Sequence, residues 1–142
     1  MSGRAVIVDT NVVVAGLLTG NEASPVARIL DGMLSATFPF VVSEALLAEY
    51  RVVLVRSSLR KLHGLTTAEI DTILSELVHH AIVLNPPTAA ALKAPDPGDQ
   101  LLYDLLAARL DLLLITGDKR LLRDPILHGR AVSPQAFVVS DA

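Results

Sequence analysis

Two uninterrupted apolar runs constrain this chain more than any other feature. Ala5-Val6-Ile7-Val8 and Leu112-Leu113-Leu114-Ile115 are each one strand long and carry no polar alternation. Each stops at a polar segment that holds an aspartate, Asp9 after the first run and Thr116-Gly117-Asp118 after the second. A strand that is apolar on both faces has to be covered on both, which is the situation of a parallel sheet between helices. The stretches between the runs supply the helices. Ser24-Pro25 is a cap followed by proline and opens a helix to about Leu34. Ser43, after an expected strand over 38–42, opens a long helix on which Leu46, Leu47, Tyr50, Val53 and Leu54 recur at three and four residues, closed by His63-Gly64. Thr66 and Glu69 form a capping box ahead of Ile70, Ile73, Leu74 and Leu77. A third strand is expected over 81–84 and a helix through Leu101, Leu102, Leu105 and Leu106, with an edge strand at Ala131-Val132 and a capped turn at Ser133-Pro134. The alternation predicts an α/β fold with a mainly parallel sheet, one domain spanning 1–142.

The composition agrees and narrows the chemistry. At 142 residues, 51% of them hydrophobic but only 4% aromatic, the chain can bury one sizeable core and still leave an apolar surface for self-association. No run reaches the ~20 apolar residues of a membrane span, and Met-Ser-Gly-Arg lacks the apolar stretch of a secretion signal, so the expectation is a soluble, cytoplasmic protein. The absence of cysteine removes disulfides, thiolate nucleophiles and Cys-based zinc sites. A net charge of −3 gives nucleic-acid binding no general support, so local basic patches would have to carry it.

The carboxylates are the informative polar residues. In an open parallel sheet the carboxyl ends of the strands line one edge where ligands bind, so Asp9 and Asp118 are expected to meet there. Each alone is equally well read as a turn residue after a strand. Glu49 lies on or beside the apolar stripe of its helix, where an uncompensated carboxylate costs several kcal/mol unless it is paired, protonated or metal-bound. Glu44, in the first turn after Ser43, is explained by the helix dipole. Asp96-Pro97-Gly98-Asp99 opens a helix: Asp96 fits its cap and Asp99 its first turn, and either acid is also placed to serve the sheet edge. Asp104 points elsewhere, to solvent. With no cysteine and no convincing histidine pair, converging carboxylates call for a hard divalent cation, Mg2+ or Mn2+. Such a site suits phosphodiester hydrolysis. Asn11 is placed to orient a ligand or water, and Thr116 to hydrogen-bond a carboxylate. The histidines, at helix ends and in a loop, carry no ligand pattern.

The ordered elements Val8-Asp9-Thr10-Asn11, Val42-Ser43 with a helix bearing Glu49, Asp99 opening a helix, and Ile115-Thr116-Gly117-Asp118-Lys119 together resemble the PIN domain. The likeness is greatest to bacterial VapC-type toxin ribonucleases and runs from Val6 to about Phe137. The resemblance implies a three-layer α/β/α sandwich and a Mg2+- or Mn2+-dependent endoribonuclease with Asp9, Glu49, Asp99 and Asp118 at the family's acidic positions. It further implies the toxin role of a type II toxin-antitoxin pair, a homodimer, and an antitoxin peptide that enters the acidic groove. Gly98 and Gln100 flank Asp99 where relatives carry more polar residues, which leaves the third acid open between Asp99 and Asp96.

An RNA substrate also needs cations near the acids. Lys119, Arg120 and Arg123 follow Asp118, and Arg51, Arg56, Arg60 and Lys61 lie on and after the Glu49 helix, where a solvated surface explains them equally well. Two other readings compete. Asp9, Ser43 and Gly117-Asp118 fit a phosphatase resembling the haloacid dehalogenases, but Asn11 stands where a second aspartate belongs and Glu49 has no role. A non-catalytic PIN-like module that binds RNA or protein would keep the fold without needing all four acids.

Overall fold

The computed structural model describes residues 4–87 and 91–140. Strand β1 (Val6–Val8) is entirely buried, and its neighbours explain why it has no polar face. On one side it pairs in parallel with β4 (Leu113–Ile115), which pairs in parallel with β5 (Ala131–Val132). On the other side Val6 bridges Phe40 and donates its amide to the Pro39 carbonyl at 3.1 Å, which brings in β2 (Val41–Val42). Strand β2 pairs in parallel with β3 (Ile82–Val83). The spatial order is therefore β3, β2, β1, β4, β5, all parallel among the described residues. The chain runs outward from β1 to β3, then returns to the far side of β1. The order reverses between β1 and β4, and it is outside the carboxyl ends of such a pair that α/β sheets bind ligands.

Helices α1 (Thr10–Leu18), α2 (Pro25–Leu34), α3 (Glu44–Leu54), α4 (Ser57–His63), α5 (Thr67–His80), α6 (Gln100–Ala108), α7 (Lys119–Leu122) and α8 (Pro134–Ser140) complete a three-layer α/β/α arrangement. The caps behave as the sequence indicates: Ser24 accepts from the Ala27 amide, Ser43 from the Leu46 amide, and Thr66 and Glu69 exchange both bonds of the capping box. No helix among the described residues is long and apolar enough to cross a membrane.

Four expectations need correction. The long helix expected from Ser43 to His63 breaks at Val55-Arg56, where Val55 ends α3 and the extended Arg56 opens α4. A periodic apolar pattern does not register one non-helical residue. The expected second strand over 38–42 contracts to Val41–Val42, because Pro39 contributes only its carbonyl and Phe40 a single bridge. Ser133-Pro134 opens helix α8 rather than a turn, and Phe137 is buried in the core with its ring edge-on to Phe38 at 5.2 Å. Asp104 is not freely solvated; it accepts a 2.8 Å hydrogen bond from Gln100.

Helices α1 and α2 cross where only glycine fits. A Cβ on Gly16 would stand 2.8 Å from the Val26 carbonyl oxygen and 3.0 Å from the Leu30 Cβ, too close for either backbone to absorb. Overpacking of this kind costs about 1–3 kcal/mol, partly offset by the ~1 kcal/mol better helix propensity of alanine. Gly16→Ala is expected to lower stability by about 1–2 kcal/mol in urea unfolding. An unchanged midpoint would mean that the crossing relaxes freely.

Candidate active site

Asp9 is built into the end of the sheet. Its amide still donates to the Ile115 carbonyl at 2.9 Å, so β1 is held against β4 up to the acid itself. It stands at the N-cap position of α1 but makes no side-chain cap bond. Instead its carboxylate, in a residue only 6% exposed, accepts a 2.8 Å hydrogen bond from the buried Thr116 hydroxyl. The same hydroxyl accepts the Asp118 amide at 3.0 Å, tying the ends of both strands together. The role expected of Thr116 is the one observed. Burial raises the Asp9 pKa, the negative charges of Asp99 and Glu49 raise it further, and the Thr116 bond opposes them.

Glu49 comes from the half-buried side of α3, and its carboxylate accepts a hydrogen bond from the Thr10 hydroxyl. The next residue, Tyr50, is fully buried and donates its hydroxyl to the Val8 carbonyl, which pins α3 to the last residue of β1. Burial, and then the charges of Asp9 and Glu49, push the Tyr50 hydroxyl pKa far up, so it stays a donor. Asp99 ends a tight 3-10 turn, Pro97–Asp99, that leads into α6. Its pKa is raised by partial burial, then by Asp96, and also by Asp118 and Glu49, with Arg120 opposing. Asp99 is thus within electrostatic reach of all three other acids, since it also raises Asp9. Asp96 has structural work: its carboxylate caps the turn through the Gly98 amide at 2.9 Å and lies 3.5 Å from Arg120.

Asp118 carries the main correction at the site. It lacks an obvious capping pattern in the sequence, yet it caps α7 by accepting the Arg120 amide at 2.9 Å. The Arg120 guanidinium returns to the same carboxylate, with Nη2 at 2.9 Å, and holds the Asp118 pKa below the ordinary carboxylate range. A four-residue helix has too little apolar periodicity for its cap to be read in advance.

The remaining sequence candidates divide. Asn11 is exposed in the first turn of α1, and Lys119 and Arg123 are exposed beside Asp118. Arg51 is turned away: two residues from Glu49 is about 200° around a helix, and its guanidinium pairs with Asp71 of α5 at 2.8 Å. Arg56 and Arg60 are exposed on the α4 segment with Lys61, and no ion pair among the described residues links them to the four acids. Sequence reasoning missed Thr10 and the hydroxyl of Tyr50. The only advance signals were a hydroxyl beside the strand-ending Asp9 and a tyrosine beside the misplaced Glu49.

Carboxylate oxygens such as those of Asp9, Glu49, Asp99 and Asp118 fit a hard divalent cation, Mg2+ or Mn2+, in kind. As they stand, no three His, Asp or Glu side chains among the described residues converge on one point, because Glu49 is turned to Thr10 and Asp118 to Arg120. Both partners are side chains that can rotate away.

The PIN domain model matches residues 5–120, most of the chain and all four acids. This chain belongs to the PIN domain family. No curated protein matches the sequence. PIN membership accounts for the parallel sheet and the acids at its edge, and gives this protein a nuclease-like fold. It also displaces the phosphatase reading, whose serine, Ser43, is buried and occupied in capping α3 at 3.0 Å.

Two predictions follow from the charges. The raised pKa of Asp9 means that the fold favours its protonated form: this contribution is present below the ordinary carboxylate pKa and is lost as pH rises through the raised value. Asp9→Asn, which keeps an acceptor for Thr116, is therefore expected to raise the metal-free Tm at pH 7 by roughly 4 °C, or about 1 kcal/mol. A lowered Tm would show that the carboxylate is not penalised. Arg120→Ala is expected to return the Asp118 pKa upward in carboxyl NMR titration, and no movement would mean that the pair does not persist in solution.

Proposed function

We propose that this PIN protein is a Mg2+- or Mn2+-dependent endoribonuclease, acting as the toxin of a type II toxin-antitoxin pair. The observation that supports the reading is that Asp9, Glu49 and Asp118 all lie within electrostatic reach of Asp99 near the β1/β4 reversal, where burial and then the neighbouring carboxylates raise the pKa values of Asp9 and Asp99. Asp9 and Asp99 would hold the ion, with Glu49 and Asp118 joining once released from Thr10 and Arg120. The ion, when bound, lowers the pKa of the attacking water and polarises the phosphate. Thr116 keeps Asp9 in one rotamer, and Tyr50 keeps the helix bearing Glu49 fixed on β1. Arg120, freed from Asp118, is positioned for the negative charge of the phosphodiester. RNA rather than DNA, and the toxin role, rest on the resemblance to VapC-type proteins. So do a homodimer, a cytoplasmic setting and an antitoxin whose peptide occupies the acidic groove.

The test is incubation of purified protein with RNA and either metal, beside Asp9→Asn and Glu49→Gln. Wild type is expected to cut internally, with both variants slowed about 100-fold or more. Equal cleavage by all three would assign the activity to a contaminant, and no cleavage by wild type would favour a non-catalytic module. Mn2+ is also expected to raise the wild-type Tm, by about 2.7 kcal/mol of stability at a hundredfold excess over Kd, and Asp9→Asn to abolish that shift.

A further inference from the structure

A concavity opens beside Asp99. It has a volume of about 290 Å3 and lies between the start of α6 and the segment after β4. Pro95, Leu121 and Pro125 give it apolar walls, Asp99 belongs to both this pocket and the acidic cluster, and Arg120 and Arg123 line its cationic side. Arg120 is engaged by Asp118 and Asp96, whereas Arg123 makes no ion pair among the described residues. The floor is set by a bond between the Tyr103 hydroxyl and Asp124, whose other oxygen takes the Ile126 amide at 3.0 Å. Asp124 is thus spent on the turn that carries Pro125, and the pocket's shape is fixed by the fold.

We propose that this pocket is a nucleotide subsite, receiving the base next to the scissile phosphate while Arg123 takes the adjoining backbone phosphate. The assignment rests on the nuclease reading for its place in the reaction, but the chemistry of the pocket supports it separately. Apolar walls accept the face of a base, and acceptor carboxylates at the edge suit amino groups on a base rather than a second phosphate. An exposed arginine supplies the backbone contact. The sharing of Asp99 makes the pocket continuous with the proposed reaction centre. A base held there would fix which phosphate reaches the acids, so the pocket would set sequence preference at one position.

Binding by metal-free protein separates this idea from catalysis. Nucleoside 5′-monophosphates are added to methyl-labelled wild type and Arg123→Ala, with ribose 5-phosphate as the baseless probe, and the Leu121 methyl resonances are followed. At least one nucleotide is expected to shift Leu121, with an apparent Kd weakened about fivefold or more in Arg123→Ala, and ribose 5-phosphate is expected to leave Leu121 unmoved. The proposal is overturned if no monophosphate shifts Leu121 or if ribose 5-phosphate shifts it equally. Nucleotide binding without any RNA cleavage by the metal-loaded protein would support the subsite while sinking the nuclease reading.

Discussion

The hydrogen bond from Thr116 to Asp9 is the constraint on which the rest of the site depends. It crosses between β1 and β4, where the strand order reverses, and so it exists only if these two strands are neighbours. It also fixes a buried carboxylate at the point where the sheet opens. Desolvating a carboxylate costs several kcal/mol, whereas one charge-assisted hydrogen bond returns about 1.5–3 kcal/mol. The bond orients Asp9 without offsetting its burial, and the two further carboxylates nearby add to the deficit. The deficit left at Asp9 is what the cation of the proposed function would offset.

The parts of this arrangement that were legible in the sequence are those set by local pattern. Val6–Val8 and Leu113–Ile115 read as doubly buried strands because they have no polar alternation, and the Thr66–Glu69 capping box reads as a helix start because both partners lie four residues apart or fewer. Glu49 stood out because a carboxylate interrupts an apolar stripe. What was not legible depends on contacts distant in the chain or on a single backbone torsion. The break at Val55-Arg56 leaves the apolar period undisturbed. The cap role of Asp118 belongs to a helix of one turn. That Arg51 serves Asp71 while Arg120 serves Asp118 is decided by which elements pack together, and no spacing along the chain encodes it. Asp96 and Asp99 could not be told apart in the sequence because both suit a helix start; in the fold Asp96 caps its own turn while Asp99 lies within electrostatic reach of Asp9.

The cations are arranged in a way that the net charge hides. An acidic chain offers RNA no general attraction, yet Arg120 and Arg123 stand at the mouth of the acidic cluster. Arg120 occupies the place of a missing positive charge beside Asp118 and Asp96, on a side chain that is 70% exposed and therefore easily exchanged for solvent contacts. Under the proposed function a divalent ion would compete for the same carboxylate with twice the charge, and its arrival would release the guanidinium beside the substrate phosphate.

The aromatic residues limit how a base would be held under the proposed function. Both tyrosines are fully buried, and both hydroxyls are committed, Tyr50 to the Val8 carbonyl and Tyr103 to Asp124. Neither presents a face for stacking, and the chain has no tryptophan. Any grip on a base near the acids must therefore come from aliphatic surface, and Pro95, Leu121 and Pro125 provide such a surface within the same concavity as Asp99. Aliphatic walls discriminate between bases by shape and by the edge groups they leave facing Asp96 and Asp99, so selectivity would turn on amino groups rather than on stacking strength.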